Sequence, residues 1–201
     1  FDKTGTGNYG VNDFLTPGTP FEGFYLRAAG YSNGSNNDNG SGAGFGTVAP
    51  SAGSATSASW VGTDGLFSVS NNYALQTVGG RSVINISTTL TNLTANAFAD
   101  FQFLRTLDPD PDVNAFGSYF TKNSIVNGQA CGTGPSSGQT ICIGNSGTAY
   151  THQVGISRDW VTDPNFFLTG GATDGDGDYT IGLAYNIGNI NAGQSVTLNY
   201  F

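Results

Sequence analysis

The chain is 201 residues long and carries 6 lysines and arginines against 14 aspartates and glutamates, a formal net charge of -8, with only 10% of its residues charged. That balance excludes nucleic acid as a partner, because the surface repels phosphates and the scattered basic residues form no stripe to offset the repulsion. No run approaches the roughly 18 to 20 apolar residues of a membrane-spanning helix, and the length suits one domain with a substantial core.

With so few charges, solubility falls to Ser, Thr, Asn, Gln and the 31 glycines, a composition typical of secreted β-proteins. The sequence contains no methionine, so Phe1 reads as a processed end behind a removed signal segment. Residues 1–20, rich in Gly and Thr with isolated Phe1, Tyr9 and Phe14, read as an N-terminal arm or edge strand lying on its own domain or on a neighbouring subunit. Residues 21–201 read as a single domain.

Its first strand is expected at Phe21 to Arg27, with Phe21, Gly23 and Tyr25 on one face and Phe24 on the other. Tyr31 to Gly46 shows no periodicity and reads as a polar surface loop. Glycan-acceptor patterns, Asn-x-Ser/Thr, stand at Asn33, Asn39, Asn85 and Asn92. Short strands then recur at Ala58 to Val61, Leu66 to Ser70 and Tyr73 to Val78, and Gly79-Gly80 predicts a hairpin turn. The cleanest alternation runs from Arg81 to Leu93, where Val83, Asn85, Ser87 and Thr89 oppose Ile84, Ile86, Thr88 and Leu90.

Phe98 to Leu107 is ambiguous in period. Phe98, Phe101, Leu104 and Leu107 fall at helical spacing, whereas Phe101 and Phe103 share a strand face; the strand-rich surroundings decide for a strand, which Asp108-Pro109 ends. A further strand with aromatic faces (Phe116, Tyr119, Phe120) is expected at Ala115 to Val126. Cys131 and Cys142 follow, flanking a turn-rich segment, and an even cysteine count in a secreted-looking chain predicts a disulfide closing a hairpin, worth about 2 to 3 kcal/mol. Tyr150 to Ser157 alternates weakly, Phe166 to Leu168 reads as a short apolar strand or plug after Asp163-Pro164, and two last strands are expected at Tyr179 to Ile187 and Ser195 to Phe201. Roughly ten to thirteen short strands predict an all-β fold, a two-sheet antiparallel β-sandwich of jelly-roll or Ig-like style with long loops and the N-terminal arm.

Two acidic runs stand out. Asp108, Asp110 and Asp112 alternate with prolines, and Asp174, Asp176 and Asp178 alternate with glycines. Neighbouring carboxylates at about 5 Å cost roughly 0.5 to 1 kcal/mol per pair in a water-like dielectric, and no basic residue is interleaved. Hard oxygen donors at every second residue are the ligand type and spacing that calcium takes, so these six aspartates are the candidate metal ligands. Neither run is an EF-hand loop, because Tyr179 and Tyr185, or Val113 and Tyr119, occupy the positions where that loop needs Gly and Glu. The single histidine, His152, lies in no nucleophile motif, and the lone glutamate is poor material for paired-carboxylate catalysis. No enzymatic activity is expected.

Ile-Asn-Ile-Ser-Thr-Thr-Leu-Thr-Asn-Leu-Thr at 84 to 94, Leu-Arg-Thr-Leu-Asp-Pro-Asp-Pro-Asp at 104 to 112 and Gly-Asp-Gly-Asp-Tyr-Thr-Ile-Gly-Leu-Ala at 175 to 184 together resemble a β-sandwich domain of large secreted and surface bacterial proteins, adhesin-like proteins among them. The likeness implies an extracellular or cell-surface location and a non-enzymatic role. The expected function is a structural subunit of a cell-surface filament or sheath, assembling with copies of itself by strand donation and stabilised by calcium. The alternative is a calcium-dependent adhesin module that binds glycan or another surface ligand.

Overall fold

The computed structural model of the chain describes residues 13–15, 21–35 and 44–201. Among these lie thirteen strands: β1 (Glu22–Ala28), β2 (Tyr31–Ser35), β3 (Gly46–Gly53), β4 (Ser57–Thr63), β5 (Phe67–Val78), β6 (Arg81–Asn92), β7 (Phe98–Leu107), β8 (Lys122–Val126), β9 (Gln129–Thr133), β10 (Thr140–Gly144), β11 (Thr151–Ser157), β12 (Thr180–Ile190) and β13 (Ser195–Tyr200). Two helical turns, α1 (Val113–Phe116) and α2 (Pro164–Leu168), interrupt them. The strands form two five-stranded sheets, ordered β11-β12-β7-β1-β2 and β13-β6-β5-β4-β3, plus a three-stranded ribbon β10-β9-β8. All pairs of named strands run antiparallel. The fold is an all-β sandwich, and the ribbon joins it by adding Ala130 and Ile143 to the main core.

The second sheet grows from the β5–β6 hairpin, twelve residues on each arm, whose register runs unbroken from Phe67↔Asn92 to Val78↔Arg81. Its two-residue turn needs positive φ at both positions, and Gly79 and Gly80 supply it at +57° and +77°. The expected break at 71–72 vanishes into one continuous strand, which begins at Phe67 and leaves Leu66 in the preceding turn. Alternation then sorts the side chains. Phe67, Val69, Ile86, Leu90, Val196 and Leu198 point inward and are buried, while Ser68, Ser70, Asn72, Ser87, Thr89, Thr91, Thr197 and Asn199 form an outer face without a charge.

The first sheet has apolar clusters on both faces. Phe24, Leu26, Phe101, Phe103, Ile181 and Leu183 meet the second sheet, whereas Tyr25, Leu104 and Ala184 lie under Phe167 of α2 on the other side. Phe67 anchors the interface, its ring 4.9 Å from both Phe98 and Phe101. Complete burial of such a side chain contributes about 1.5 to 3 kcal/mol. Phe167 lies flat on the sheet because the paired strand residues beneath it, Gly155 and Gly182, have no Cβ; one on either would come within 2.8 Å of its ring. An ion pair lies between the sheets. Arg105 is 3% exposed, pairs with Glu22, and donates to the Tyr73 hydroxyl at 3.3 Å.

Several local expectations need correction. Residues 31–35, read as loop, form β2, pairing with β1. Residues 115–121 are not strand: the chain enters α1 after Asp112, Gly117 ends the turn in the left-handed region at φ +65°, and strand resumes only at Lys122. Phe166 to Leu168 is helical, because Asp163 caps its N-terminus through the Asn165 N–H at 3.0 Å and Pro164 fits the first turn. Asn92 is fully buried, with its amide donating to the carbonyls of Asn96 and Asn191 at 2.7 and 3.0 Å, so it is closed to glycan in the folded chain. Of the N-terminal arm, 1–12 and 16–20 lie outside the described residues, as do Asn39 and the 36–43 part of the loop. Leu15 is buried in the main core.

Candidate metal centre

The two acidic runs meet because they continue neighbouring antiparallel strands. β7 ends at Leu107, which pairs with Ile181 near the start of β12. Extending that register beyond the strands sets Asp108 against Thr180 and Asp110 against Asp178. The carboxylates of Asp108, Asp110 and Asp178 each place an oxygen within 4.8 Å of the others.

The Asp-Pro alternation fixes the upstream half. Proline has no N–H, so only the aspartates of this run can donate, and they do so on one side: Asp108 N–H to the Phe21 carbonyl at 2.9 Å, Asp110 N–H to the Phe14 carbonyl at 2.7 Å. Held this way, Asp108 and Asp110 are 4% and 3% exposed. Oδ1 of Asp108 is buried and accepts no hydrogen bond among the described residues. Burial, and after it the charges of Asp110 and Asp178, push its carboxyl up to about 8. Desolvation raises Asp178 as well, although that residue is exposed at the mouth of the cluster.

The other three predicted ligands serve the surrounding loops. Asp112 has left the extended conformation (φ -101°, ψ -6°), and its carboxylate accepts from Ser136 N–H at 2.7 Å and Ser137 N–H at 3.1 Å. It thereby holds the tip of the β9–β10 hairpin, whose strands are joined by the Cys131–Cys142 disulfide at a directly opposed pair. Asp174 accepts from Arg158 N–H at 3.0 Å, and Asp176 accepts from Asn123 N–H at 2.9 Å. Alternation alone did not separate these roles. The separation comes from long-range contacts with residues 123, 136, 137 and 158.

Two further residues shape the site without carrying a charge. Thr121 exchanges backbone hydrogen bonds with Gly177 at 3.0 and 2.9 Å and adds its hydroxyl to the Gly177 carbonyl at 2.8 Å, fixing the residue before Asp178. Trp160, at φ +53°, donates its indole N–H to the Asp178 carbonyl at 3.3 Å and packs its ring 5.2 Å from Phe21. No sequence signal marked either, since both partners are distant along the chain.

Three carboxylates with no nitrogen or sulfur donor suit a hard cation, and the remaining coordination positions would fall to carbonyls and water. His152 is elsewhere, paired with Tyr185 four residues further along β12 than Ile181, exposed, with Nδ1 2.9 Å from the Tyr150 carbonyl. No protein-family model matches the chain, and no curated protein matches it. No helix among the described residues is long and apolar enough to cross a membrane.

Proposed function

We propose that the chain is an extracellular, non-enzymatic structural protein, a self-assembling subunit of a cell-surface filament or sheath whose sandwich is clamped by calcium at Asp108, Asp110 and Asp178. The observation that carries this reading is the buried Asp108 oxygen, left without a hydrogen bond beside two further carboxylates. An uncompensated buried carboxylate costs several kcal/mol, and a divalent cation removes that cost. Such a cation ties the end of β7 to the start of β12, stiffening the centre of the first sheet. The disulfide supports an oxidising location, where calcium is also plentiful.

Self-assembly finds support in the β5–β6 hairpin. β4 pairs with β5 no further than Ala74, and β13 pairs with β6 no further than Ile86. Residues 76–83 therefore project as a two-stranded ribbon with Val78 58% exposed and Arg81 its only charge. Two strands alone are marginal in water, and an edge with a single charge at its tip invites a third. The test is electron microscopy of the purified chain in calcium and in chelator, alongside Thr77→Lys/Ser82→Lys. Filaments that need calcium and vanish in the lysine variant are the expected result; a monomer under every condition overturns the assembly reading.

The adhesin alternative is favoured by one separate observation, the exposed aromatic side chains beside the acidic site.

A further inference from the structure

Of the ten exposed large apolar side chains among the described residues, five lie between 116 and 126: Phe116, Tyr119, Phe120, Ile125 and Val126, each 44% to 56% exposed. Ile125 and Val126 are successive residues of β8 and point to opposite faces, so the concentration that counts is the loop's three aromatics, a kind of grouping that marks a contact surface where single exposed apolar residues do not. Its position is specific. The aromatic loop 113–120 begins three residues after Asp110 and ends at Thr121, which is bonded on backbone and side chain to Gly177, the neighbour of Asp178. Both feet of the loop thus stand on the segments that carry the acidic cluster. The start of the loop is pinned a second time, by the Asp112 carboxylate on Ser136 and Ser137.

The chemistry around the loop selects the occupant. Lys122 is the only charged residue from 113 to 126, and Asp176 and Asp178 lie exposed beside Gly177, so a polyanion or an anionic membrane is repelled. A neutral sugar is not. Its C–H-rich face stacks on aromatic rings, and its vicinal hydroxyls are hard oxygen donors of the kind calcium accepts. The exposed member of the cluster, Asp178, leaves the cation open toward solvent on that side.

We propose that the surface formed by Phe116, Tyr119 and Phe120 together with the cation at Asp108, Asp110 and Asp178 binds neutral carbohydrate in a calcium-dependent manner. This rests on the calcium site proposed above and deepens the adhesin alternative. A cation joining Asp110 to Asp178 draws the two feet of the aromatic loop together and presents its rings, so binding is lost when the cation is removed even though the rings do not ligate it.

The experiment passes the full chain over immobilised mannan, dextran, xylan and galactan in calcium and in chelator, and records thermal melting in parallel. Retention on at least one polysaccharide in calcium and none in chelator is expected. Phe116→Ala/Tyr119→Ala/Phe120→Ala is expected to weaken retention more than about tenfold, as the loss of ring stacking implies, while keeping the calcium-induced rise in melting temperature. Asp178→Asn is expected to lose both. A calcium-induced rise with no retention on any polysaccharide overturns the carbohydrate site and leaves the calcium clamp standing. Retention that persists in chelator, or that the alanine variant keeps, overturns the proposed coupling of rings and cation. Binding to neutral phosphatidylcholine vesicles in place of the polysaccharides assigns the surface to lipid and overturns the proposal. No calcium-induced rise at all removes the clamp first.

Discussion

Asp108 and Asp178, seventy positions apart in the sequence, bring carboxylate oxygens within 4.8 Å of each other because β7 and β12 are hydrogen-bonded neighbours. One is buried and the other is exposed. A cation held between them would be anchored from below and reachable from outside.

Calcium raises the melting temperature. For a dissociation constant of about 10 to 100 μM, millimolar calcium adds about 1.5 to 3 kcal/mol by mass action. Asp108→Asn separates this from general salt effects by reversing sign between conditions. In chelator at neutral pH the variant is more stable than the parent, because an amide folds without the proton that the Asp108 carboxyl must take up; in calcium it is less stable, because a ligand is gone. Differential scanning calorimetry of both proteins in both buffers reads the crossing, and parallel curves would remove Asp108 from the site.

The pH dependence follows from the same residue. Its folded-state value of about 8 lies above the unfolded value, so the folded chain holds the proton more tightly. Without metal, the stability contributed by protonated Asp108 is fully present below about pH 4, the ordinary aspartate range, and is lost as pH rises through the folded value. Calcium competes with that proton, so the gain in melting temperature from calcium grows across the same window. Calorimetric titration at neutral pH in two buffers of different ionisation enthalpy should find close to one proton released per ion bound.

Glu22 and Arg105 respond unequally to loss of their partner. Arg105 is 3% exposed and the Glu22 side chain 21% exposed. Glu22→Gln leaves a guanidinium buried between the sheets without its counter-charge and should cost about 3 to 5 kcal/mol in urea unfolding. Arg105→Met fills the same space with an apolar chain and leaves a carboxylate that can rehydrate, so its cost is smaller. Equal costs would mean that the ion pair does not govern this part of the core.

Trp160 reports on the metal centre. Its indole N–H is bonded to the Asp178 carbonyl, and the only other tryptophan, Trp60, belongs to the second sheet. In Trp60→Phe, calcium titration should therefore change the fluorescence of Trp160, and Asp178→Asn should abolish the change. A flat trace in a protein whose melting still responds to calcium would place the ion away from Asp178.

The strands were legible in the sequence where one face meets water. In β6, buried and open residues alternate from Asn85 to Asn92, and the period shows plainly. β7 was harder for a physical reason: all seven residues from Phe101 to Leu107 are buried, because helix α2 covers the face away from the second sheet. Two-sided burial erases alternation and leaves spacing that fits a helix equally well. The acidic residues posed the same difficulty in another form. Spacing identified six carboxylates, but only the register of β7 against β12 brings Asp108, Asp110 and Asp178 together, and only distant N–H groups claim Asp112, Asp174 and Asp176. The exposed aromatics at 116 to 120 were read as a strand face because aromatic residues in a β-rich chain are usually core.

The outer face of the second sheet has a consequence for the conditions under which this protein works. On β4, β5, β6 and β13 that face presents hydroxyls, amides and a few apolar groups, and Arg81 at the hairpin tip is its one charge among the described residues. Dissolved ions screen only charges. Away from that one residue, the flank therefore offers the same surface in fresh water and in brine, in acid and in alkali.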